Sequence, residues 1–256
     1  MRYRIIGLVM VALATLGSCG KMEMRKADSS KAVPAGTVRH FSVFSSDLNR
    51  TMKTTIWLPF GYDESKTYPF LYLLHGYGDD NDSWNSKGGA SSIADKYVYD
   101  GGVPMVIIMP DGLTNFYRGE YETYMFGTLM PALEEAFHCN GKRAVAGLSM
   151  GGYGTLYYSL KYPDLFTYGY AMSPASDLAG FRVLAAAHEA YVYPKLTIES
   201  GTQDGTVKIE GVRELAQMLV SSGLQCDFIE RSGGHDWKFW QVCLEKALVK
   251  IGNSFK

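Results

Sequence analysis

Residues 143–153 read RAVAGLSMGGY, and this stretch decides the fold class. An apolar run passes through the pentapeptide Gly147-Leu148-Ser149-Met150-Gly151 into an amphipathic segment that opens at Tyr153. A Gly-x-Ser-x-Gly sequence between a strand and a helix is the form of a nucleophile elbow, in which a sharp turn presents a serine hydroxyl to a base. The flanking glycines leave room in that turn because they carry no side chain. The stretch therefore predicts Ser149 as a nucleophile at the end of a strand.

Around this stretch, strand and helix patterns alternate along the chain. Eight apolar segments bounded by turn residues predict strands at 38–45, 53–58, 70–74, 106–109, 143–148, 168–172, 195–199 and 226–230. Helical patterns follow at 92–99, 126–137, 153–162, 207–222 and 237–251. Two strands in succession, then alternation, predict an α/β fold with an eight-stranded, mostly parallel sheet and helices on both faces. The connection 173–194 leaves room only for a minimal cap.

Composition limits the classes of partner. The chain has 256 residues and 46% hydrophobic content, which favours one catalytic domain over residues 37–256. Its net charge of -1 comes from 25 basic and 26 acidic residues without a long run of either sign. This balance argues against a nucleic-acid surface or a polybasic membrane patch, and favours a neutral or weakly charged ligand.

The N-terminus has the pattern of an export signal. Arg2 and Arg4 precede the apolar run 5–16, which ends in Leu16-Gly17-Ser18-Cys19. A run of about a dozen residues is too short to span a hydrocarbon core, which needs roughly 20. Leu-Gly-Ser-Cys resembles the bacterial lipobox, which implies a signal peptide over 1–18, a lipid anchor on Cys19 and a tether over 19–36. We expect an exported lipoprotein, periplasmic or at the cell surface; ordinary secretion with cleavage nearby stays open.

Ser149 needs a base, and chain order selects among the histidines. In folds with this elbow the acid follows a later strand and the histidine lies near the C-terminus. Only His235 follows the last predicted strand, in a loop with two glycines, and His188 is the second choice. His40 and His138 are expected at the surface or at strand edges.

The acid is expected just past the strand 195–199, where Asp204 lies. A carboxylate there orients the imidazole and stabilises the imidazolium. Asp177 and Glu199 stay open as competitors. Asp236 is adjacent to His235 in sequence, but we predict it as a loop or N-cap residue for the helix that begins at 237.

Backbone donors for an oxyanion are expected from the residue after the nucleophile and from the loop after the third strand. Met150 supplies the first N–H. In the loop that follows Leu74, the N–H of Tyr77 is the candidate for the second. We predict His75 as a buried imidazole that braces this loop through hydrogen bonds.

Assembled, these residues resemble the esterase D-like branch of the α/β-hydrolases, of the carbohydrate esterase family 1 type. That group includes feruloyl and acetylxylan esterases, S-formylglutathione hydrolase, enterochelin esterases and mycolyltransferases. The likeness covers roughly 54–251 and rests on six motifs in order: Leu74-His75-Gly76-Tyr77-Gly78, Asp82-Ser83-Trp84, Pro110-Asp111-Gly112, Gly147 to Gly154, Gly201-Thr202-Gln203-Asp204 and Gly234-His235-Asp236-Trp237. It implies a triad of Ser149, Asp204 and His235, an oxyanion hole of Tyr77 and Met150, and no metal or organic cofactor.

The substrate is less well specified. Aromatic residues near the motifs, among them Trp84, Tyr121 and Trp237, are candidates to stack on sugar rings or on a phenolic acyl group. The alternative is that many of these rings pack structurally, since the chain has 18 tyrosines. Export favours a glycan or polymer outside the cytoplasm, so the leading hypothesis is hydrolysis of feruloyl or acetyl esters of carbohydrate. A siderophore esterase, an acyltransferase and a non-catalytic binding lipoprotein stay open, and no protein partner is predicted.

Three cysteines remain besides Cys19. They are Cys139, Cys226 and Cys243, without the spacing of a metal site. A bridge between Cys226 and Cys243 and a set of buried free thiols are both open.

Overall fold

The computed structural model of the chain describes residues 32–186 and 191–256. The predicted signal peptide, Cys19 and His188 lie outside these residues. The predicted tether meets the domain at Gly36, whose N–H donates to the Asp95 carboxylate at 2.7 Å. Within the described ranges, no helix is both long enough and apolar enough to span a membrane.

Eight strands form one sheet in the order β1-β2-β4-β3-β5-β6-β7-β8. β1 pairs with β2 and β2 with β4 in antiparallel fashion, and all other neighbours are parallel, which confirms the predicted sheet. The strands are β1 (Thr37–Ser45), β2 (Arg50–Leu58), β3 (Tyr68–Leu74), β4 (Val106–Pro110), β5 (Cys139–Leu148), β6 (Tyr168–Met172), β7 (Lys195–Gly201) and β8 (Cys226–Arg231).

The helices lie between the strands, and their bounds are α1 (Ser83–Ser86), α2 (Ala90–Tyr99), α3 (Glu120–Tyr124), α4 (Met130–Ala136), α5 (Met150–Lys161), α6 (Leu178–Ala185), α7 (Ile209–Ser221) and α8 (Trp237–Ser254). A π-helical turn (Met125–Leu129) precedes α4, so the single helix predicted over 126–137 is two segments. The short helices α1, α3 and α6 were not predicted. α6 lies within the connection 173–194, for which a minimal cap is predicted.

The sheet is covered on both faces because strand side chains alternate. Leu71 and Leu73 of β3 face a cluster formed with α2 and α8, whereas Phe70 and Tyr72 face a cluster formed with α4 and α5. α7 covers the second face near β7. With the parallel strands buried on both sides, functional side chains are expected at their carboxyl ends, where the connecting loops emerge.

Candidate active site

Ser149 occupies a strained turn between β5 and α5. Its φ is 53° and its ψ is -112°, a conformation that L residues rarely adopt. Gly151 is required there, because a Cβ at this position would lie 2.3 Å from the Leu74 carbonyl oxygen. The backbone hydrogen bond from Ser149 N–H to the Met172 carbonyl, 2.8 Å long, fixes the turn on the neighbouring strand β6. The turn has the geometry of a nucleophile elbow.

The structure brings Ser149, His235 and Asp204 into one hydrogen-bonded chain. His235 Nε2 lies 2.9 Å from Ser149 Oγ, and His235 Nδ1 lies 2.7 Å from Asp204 Oδ2. Asp204 follows β7 and His235 follows β8, so the three groups come from three loops at the same edge of the sheet. A carboxylate accepts the Nδ1–H, which leaves Nε2 free to accept the serine proton.

Asp204 is a preorganised acceptor. Its side chain is fully buried, and Oδ1 accepts the backbone N–H groups of Thr206 at 2.8 Å and Val207 at 2.7 Å. These two bonds leave Oδ2 directed at His235. The imidazole is held from its other side by Trp240, whose ring meets it edge-on at a centroid distance of 4.9 Å.

The loops that carry the acid and the base contact each other through their backbones. Gln203 N–H donates to the Gly233 carbonyl at 3.0 Å, and Thr202 N–H donates to the Arg231 carbonyl at 2.9 Å. A Cβ on Gly201 would lie 2.2 Å from that Gly233 oxygen, so the approach requires glycine. The spacing between Asp204 and His235 is therefore set by backbone contacts as well as by their own hydrogen bond.

The competing acids have other partners. Asp177 caps α6 by accepting the Gly180 N–H at 3.0 Å. Asp236 caps α8 by accepting the Phe239 N–H at 2.9 Å, which confirms its predicted role. Glu199 is bound by Arg231 Nε at 2.5 Å, by Lys246 Nζ at 2.7 Å and by the Tyr170 hydroxyl.

Glu199 is a buried, ionised carboxylate beneath the site. Burial alone would raise the pKa of Glu199, but the hydrogen bonds from Lys246, Tyr170 and Arg231 outweigh it and lower the pKa below its usual value. Arg231 also donates to the Phe239 carbonyl at 2.5 Å and stacks on the Phe239 ring. The cluster thereby joins β7, β8 and the first turn of α8, the elements on both sides of His235.

The predicted oxyanion donors flank the nucleophile. A Cβ on Gly76 would lie 3.7 Å from the Cβ of Ser149, so the backbone leading into Tyr77 runs beside the serine. Met150 begins α5, directly after Ser149. The roles of the two N–H groups remain predictions.

His75 braces the loop that carries Tyr77. It is 1% exposed; its Nδ1 lies 2.7 Å from the Gly76 carbonyl, and its Nε2 accepts the Gly112 N–H at 2.7 Å. This pattern confirms the predicted brace and joins the loop after β3 to the loop after β4. His40 and His138 are exposed, as expected.

Two predicted substrate contacts are wrong. Trp84 is 1% exposed and donates its indole N–H to the Leu74 carbonyl at 3.0 Å, inside the core under α8. Tyr121 is completely buried against Tyr117 and Tyr124. Neither ring reaches solvent, because Trp84 lies on the short helix α1 and Tyr121 on the short helix α3, and both point into the core. Trp237 is partly exposed and packs edge-on against Trp84, so its role as a substrate contact remains a prediction.

A cleft that the sequence did not indicate opens beside the elbow. It has a volume of about 440 Å³, and its walls come from the loop after β4, the start of α5 and the loop after β6: Asn115, Phe116, Arg118, Tyr153, Ala175, Ser176 and Asp177. It adjoins the nucleophile, because Ala175 N–H donates to the Ser149 carbonyl at 3.1 Å. Of these residues, the sequence singles out Asp177 as a competing acid and Tyr153 as the start of a helical segment, and it indicates a binding role for neither.

The cysteines among the described residues are unpaired. Cys139, Cys226 and Cys243 are free, so the bridge between Cys226 and Cys243 is not formed. Burial raises the pKa of Cys226 to about 12 and raises the pKa of Cys243 further. Raised thiol pKa values are typical of inert, packed cysteines. In 32–186 and 191–256, no group of three or more His, Cys, Asp or Glu side chains is placed to bind a metal ion.

The sequence matches a protein family model and resembles characterised esterases. The family model described as "Putative esterase" matches residues 45–251. An endo-1,4-beta-xylanase/feruloyl esterase of Xylanibacter ruminicola is 27% identical over 240 residues, covering 86% of this chain and 32% of that protein. An acetyl esterase of Caldicellulosiruptor saccharolyticus is 25% identical over 229 residues, covering 72% of this chain and 83% of that protein. The chain thus spans about a third of the length of the Xylanibacter relative.

Solved structures show the same fold. A ferulic acid esterase superposes with a TM-score of 0.75 at 26% identity, over 86% of this chain and 100% of that one. A ferulic acid esterase of Anaeromyces mucronatus gives a TM-score of 0.77 at 22% identity, over 93% and 97%.

Proposed function

Because the chain belongs to the Esterase family, we propose that it is a serine carboxylesterase that removes feruloyl or acetyl groups from carbohydrate. One observation carries this proposal. A single imidazole, His235, contacts both a serine hydroxyl and a buried carboxylate, and that serine lies on an elbow. An isolated serine hydroxyl is a weak nucleophile, and this arrangement is what activates it.

The reaction has two steps. His235 Nε2 accepts the proton of Ser149 as Oγ attacks the ester carbonyl, and Asp204 stabilises the imidazolium. The N–H groups of Met150 and Tyr77 stabilise the tetrahedral oxyanion. The imidazolium then protonates the departing alcohol. Water, deprotonated by His235, attacks the acyl-enzyme and releases the acid, which regenerates Ser149.

The proposed acyl and alcohol groups follow the relatives. The Xylanibacter protein is named a feruloyl esterase and xylanase, and the Caldicellulosiruptor protein an acetyl esterase. The export pattern at the N-terminus is consistent with such a substrate, since plant polymers are degraded outside the cytoplasm. We propose that Cys19 carries the lipid anchor. Radiolabelled palmitate incorporated by the parent chain and lost in Cys19→Ser is the expected result; equal labelling of both would refute the anchor.

Ser149→Ala tests the chemistry. It should abolish turnover of p-nitrophenyl acetate and labelling by a fluorophosphonate, with the circular dichroism spectrum unchanged. Ser221→Ala, which changes an exposed serine on α7, is the matched control and should retain both. Turnover by Ser149→Ala at the parent rate would refute the proposal.

The acyl group is tested by competition among three esters. Methyl ferulate, acetylated xylan and enterobactin are offered to one preparation, and kcat/KM is compared. Preference for either of the first two supports a carbohydrate esterase. Preference for enterobactin would replace that assignment with a siderophore esterase.

A further inference from the structure

The cleft beside the elbow has one aromatic wall and one polar wall. The Phe116 ring is 36% exposed and lies between Tyr77 and Tyr153, at centroid distances of 6.3 Å and 5.6 Å. The facing wall consists of Ala175, Ser176 and Asp177. Ala175 donates to the carbonyl of the nucleophile, and Tyr77 follows the glycine beside it, so the cleft lies next to the elbow.

Arg118 and Asp177 both line the cleft and approach each other there. Arg118 Nη1 lies 4.0 Å from Asp177 Oδ2, which is at the limit of an ion pair. The same nitrogen donates to the Tyr153 hydroxyl at 3.0 Å, and the guanidinium lies over the Tyr153 and Tyr157 rings. The aromatic contacts fix the guanidinium in place, while its side chain stays 53% exposed. A guanidinium has five N–H donors, so several remain for a ligand.

Charge and polarity distinguish the two halves of an ester. A feruloyl ring has only one phenolic hydroxyl and one methoxy oxygen, so in this cleft it would replace fewer of the hydrogen bonds that Arg118 and Asp177 make to water, which is unfavourable. A sugar replaces them, because its hydroxyls both donate and accept. An acidic sugar would face the Asp177 carboxylate as well as Arg118, so the pair favours a neutral one. The exposed Phe116 ring offers a face for the C–H groups of the sugar.

We propose that this cleft binds a neutral glycosyl unit, the alcohol half of the ester, and that Arg118 and Asp177 determine specificity by hydrogen-bonding its hydroxyls. The inference rests on the proposed esterase function and adds the location and polarity of the sugar subsite. The volume of about 440 Å³ lies within the range of roughly 300–1,000 Å³ that is usual for small-molecule sites.

The test compares two substrates with the same acyl group, feruloyl-arabinose and methyl ferulate. If the parent protein prefers acetyl, the pair is acetylated xylobiose and p-nitrophenyl acetate. Arg118→Ala should lower kcat/KM for the glycosyl ester by roughly tenfold to a hundredfold, the loss expected when a charged hydrogen-bond donor to a ligand is removed, and should change the simple ester by about twofold or less. Asp177→Asn should lower kcat/KM for the glycosyl ester alone. The asparagine still caps α6, so the fold should be retained.

Arg213→Ala is the matched control, because Arg213 is 49% exposed and pairs with Glu230 on the surface. It should leave kcat/KM for both substrates unchanged. If Arg118→Ala folds poorly, Arg118→Lys replaces it. Equal losses on both esters, or no loss on either, would overturn the sugar subsite while the esterase function stands. Failure of the parent protein to hydrolyse any of these esters would instead overturn the proposed function and this inference with it.

Discussion

Two buried carboxylates lie within five residues of each other at the carboxyl end of β7, and their surroundings differ. Glu199 and Asp204 both have completely buried side chains. Glu199 is bound by two cations and a tyrosine hydroxyl. Asp204 is bound by two backbone N–H groups and one imidazole.

The difference shows how one strand end supplies both a structural and a chemical acid. Glu199 lies between Arg231, Lys246 and the Tyr170 hydroxyl, and none of these groups contacts Ser149 or His235 in the hydrogen-bonded chain, so this cluster takes no part in the proposed proton transfer. In the proposed mechanism His235, which faces Asp204, gains and loses a proton in each step. A carboxylate near a nucleophile is therefore assigned by what contacts it, and sequence position alone leaves Glu199 and Asp204 as competitors.

The largest expected effect is that of Asp204→Asn. The asparagine oxygen can still accept from Thr206 and Val207, but its NH2 would donate to His235 Nδ1 and leave the proton on Nε2. That tautomer cannot accept the serine proton, so kcat should fall by roughly 10⁴-fold, as for the corresponding change in serine proteases.

The measurement is kcat on p-nitrophenyl acetate, with the thermal midpoint as a check on folding. Glu199→Gln is the matched control at the same strand end, and it should lose far less activity. Equal losses of kcat in the two variants would contradict the assignment of Asp204 as the catalytic acid and Glu199 as a structural one.

Glu199→Gln should instead cost stability. Removing the carboxylate leaves Arg231 and Lys246 without their partner, and both are partly exposed. We expect the free energy of unfolding to fall by roughly 3 kcal/mol, at the lower end for breaking a buried ion pair. Urea denaturation measures it, and Glu230→Gln, which breaks a surface pair with Arg213, should cost less than about 1 kcal/mol. If Glu199→Gln lowered the free energy of unfolding by as little as Glu230→Gln does, the cluster around Glu199 would not be important for stability.

The same cluster should be sensitive to acid. Because the pKa of Glu199 is lowered on folding from a reference of 4.5, its contribution is present above that pH and is lost as the pH falls through the folded pKa. The difference in unfolding free energy between the parent protein and Glu199→Gln should therefore be smaller at about pH 3.5 than at about pH 7. A difference that is independent of pH would contradict the lowered pKa.

The smallest effect is expected at Tyr121. Its hydroxyl is buried and, within the described residues, has no hydrogen-bond partner, unlike both carboxylates. Tyr121→Phe removes this group, so stability should stay equal or rise by up to about 1 kcal/mol, and activity should not change. A clear loss of activity would instead indicate that Tyr121 contacts the substrate.

The sheet could be predicted because its signal is local. The strands have alternating or continuous apolar segments bounded by turn residues, and the predicted bounds of β6 match the observed ones. The sequence does not indicate the N-terminal extension of β5 to Cys139, because residues 139–142, Cys-Asn-Gly-Lys, contain no apolar run and include turn-forming Asn and Gly. Short helices such as α1 and α3 were missed because four or five residues carry no readable period.

The candidate triad could be placed because chain order constrains it, whereas the cleft could not. Arg118, Tyr153 and Asp177 come from three separated segments, and only the folded chain brings them together. Trp84 and Tyr121 failed for a related reason: proximity to a motif in sequence does not say whether a ring points outward or into the core.

The loops at the sheet edge alternate in what they carry. Those after β5, β7 and β8 hold Ser149, Asp204 and His235, while those after β4 and β6 form most of the cleft. Of the residues that line the cleft, only Tyr153 belongs to an element that also begins at the elbow. If the cleft binds the glycosyl unit as proposed, substitutions in the loops after β4 and β6 would alter ligand preference and leave Ser149, Asp204 and His235 in place.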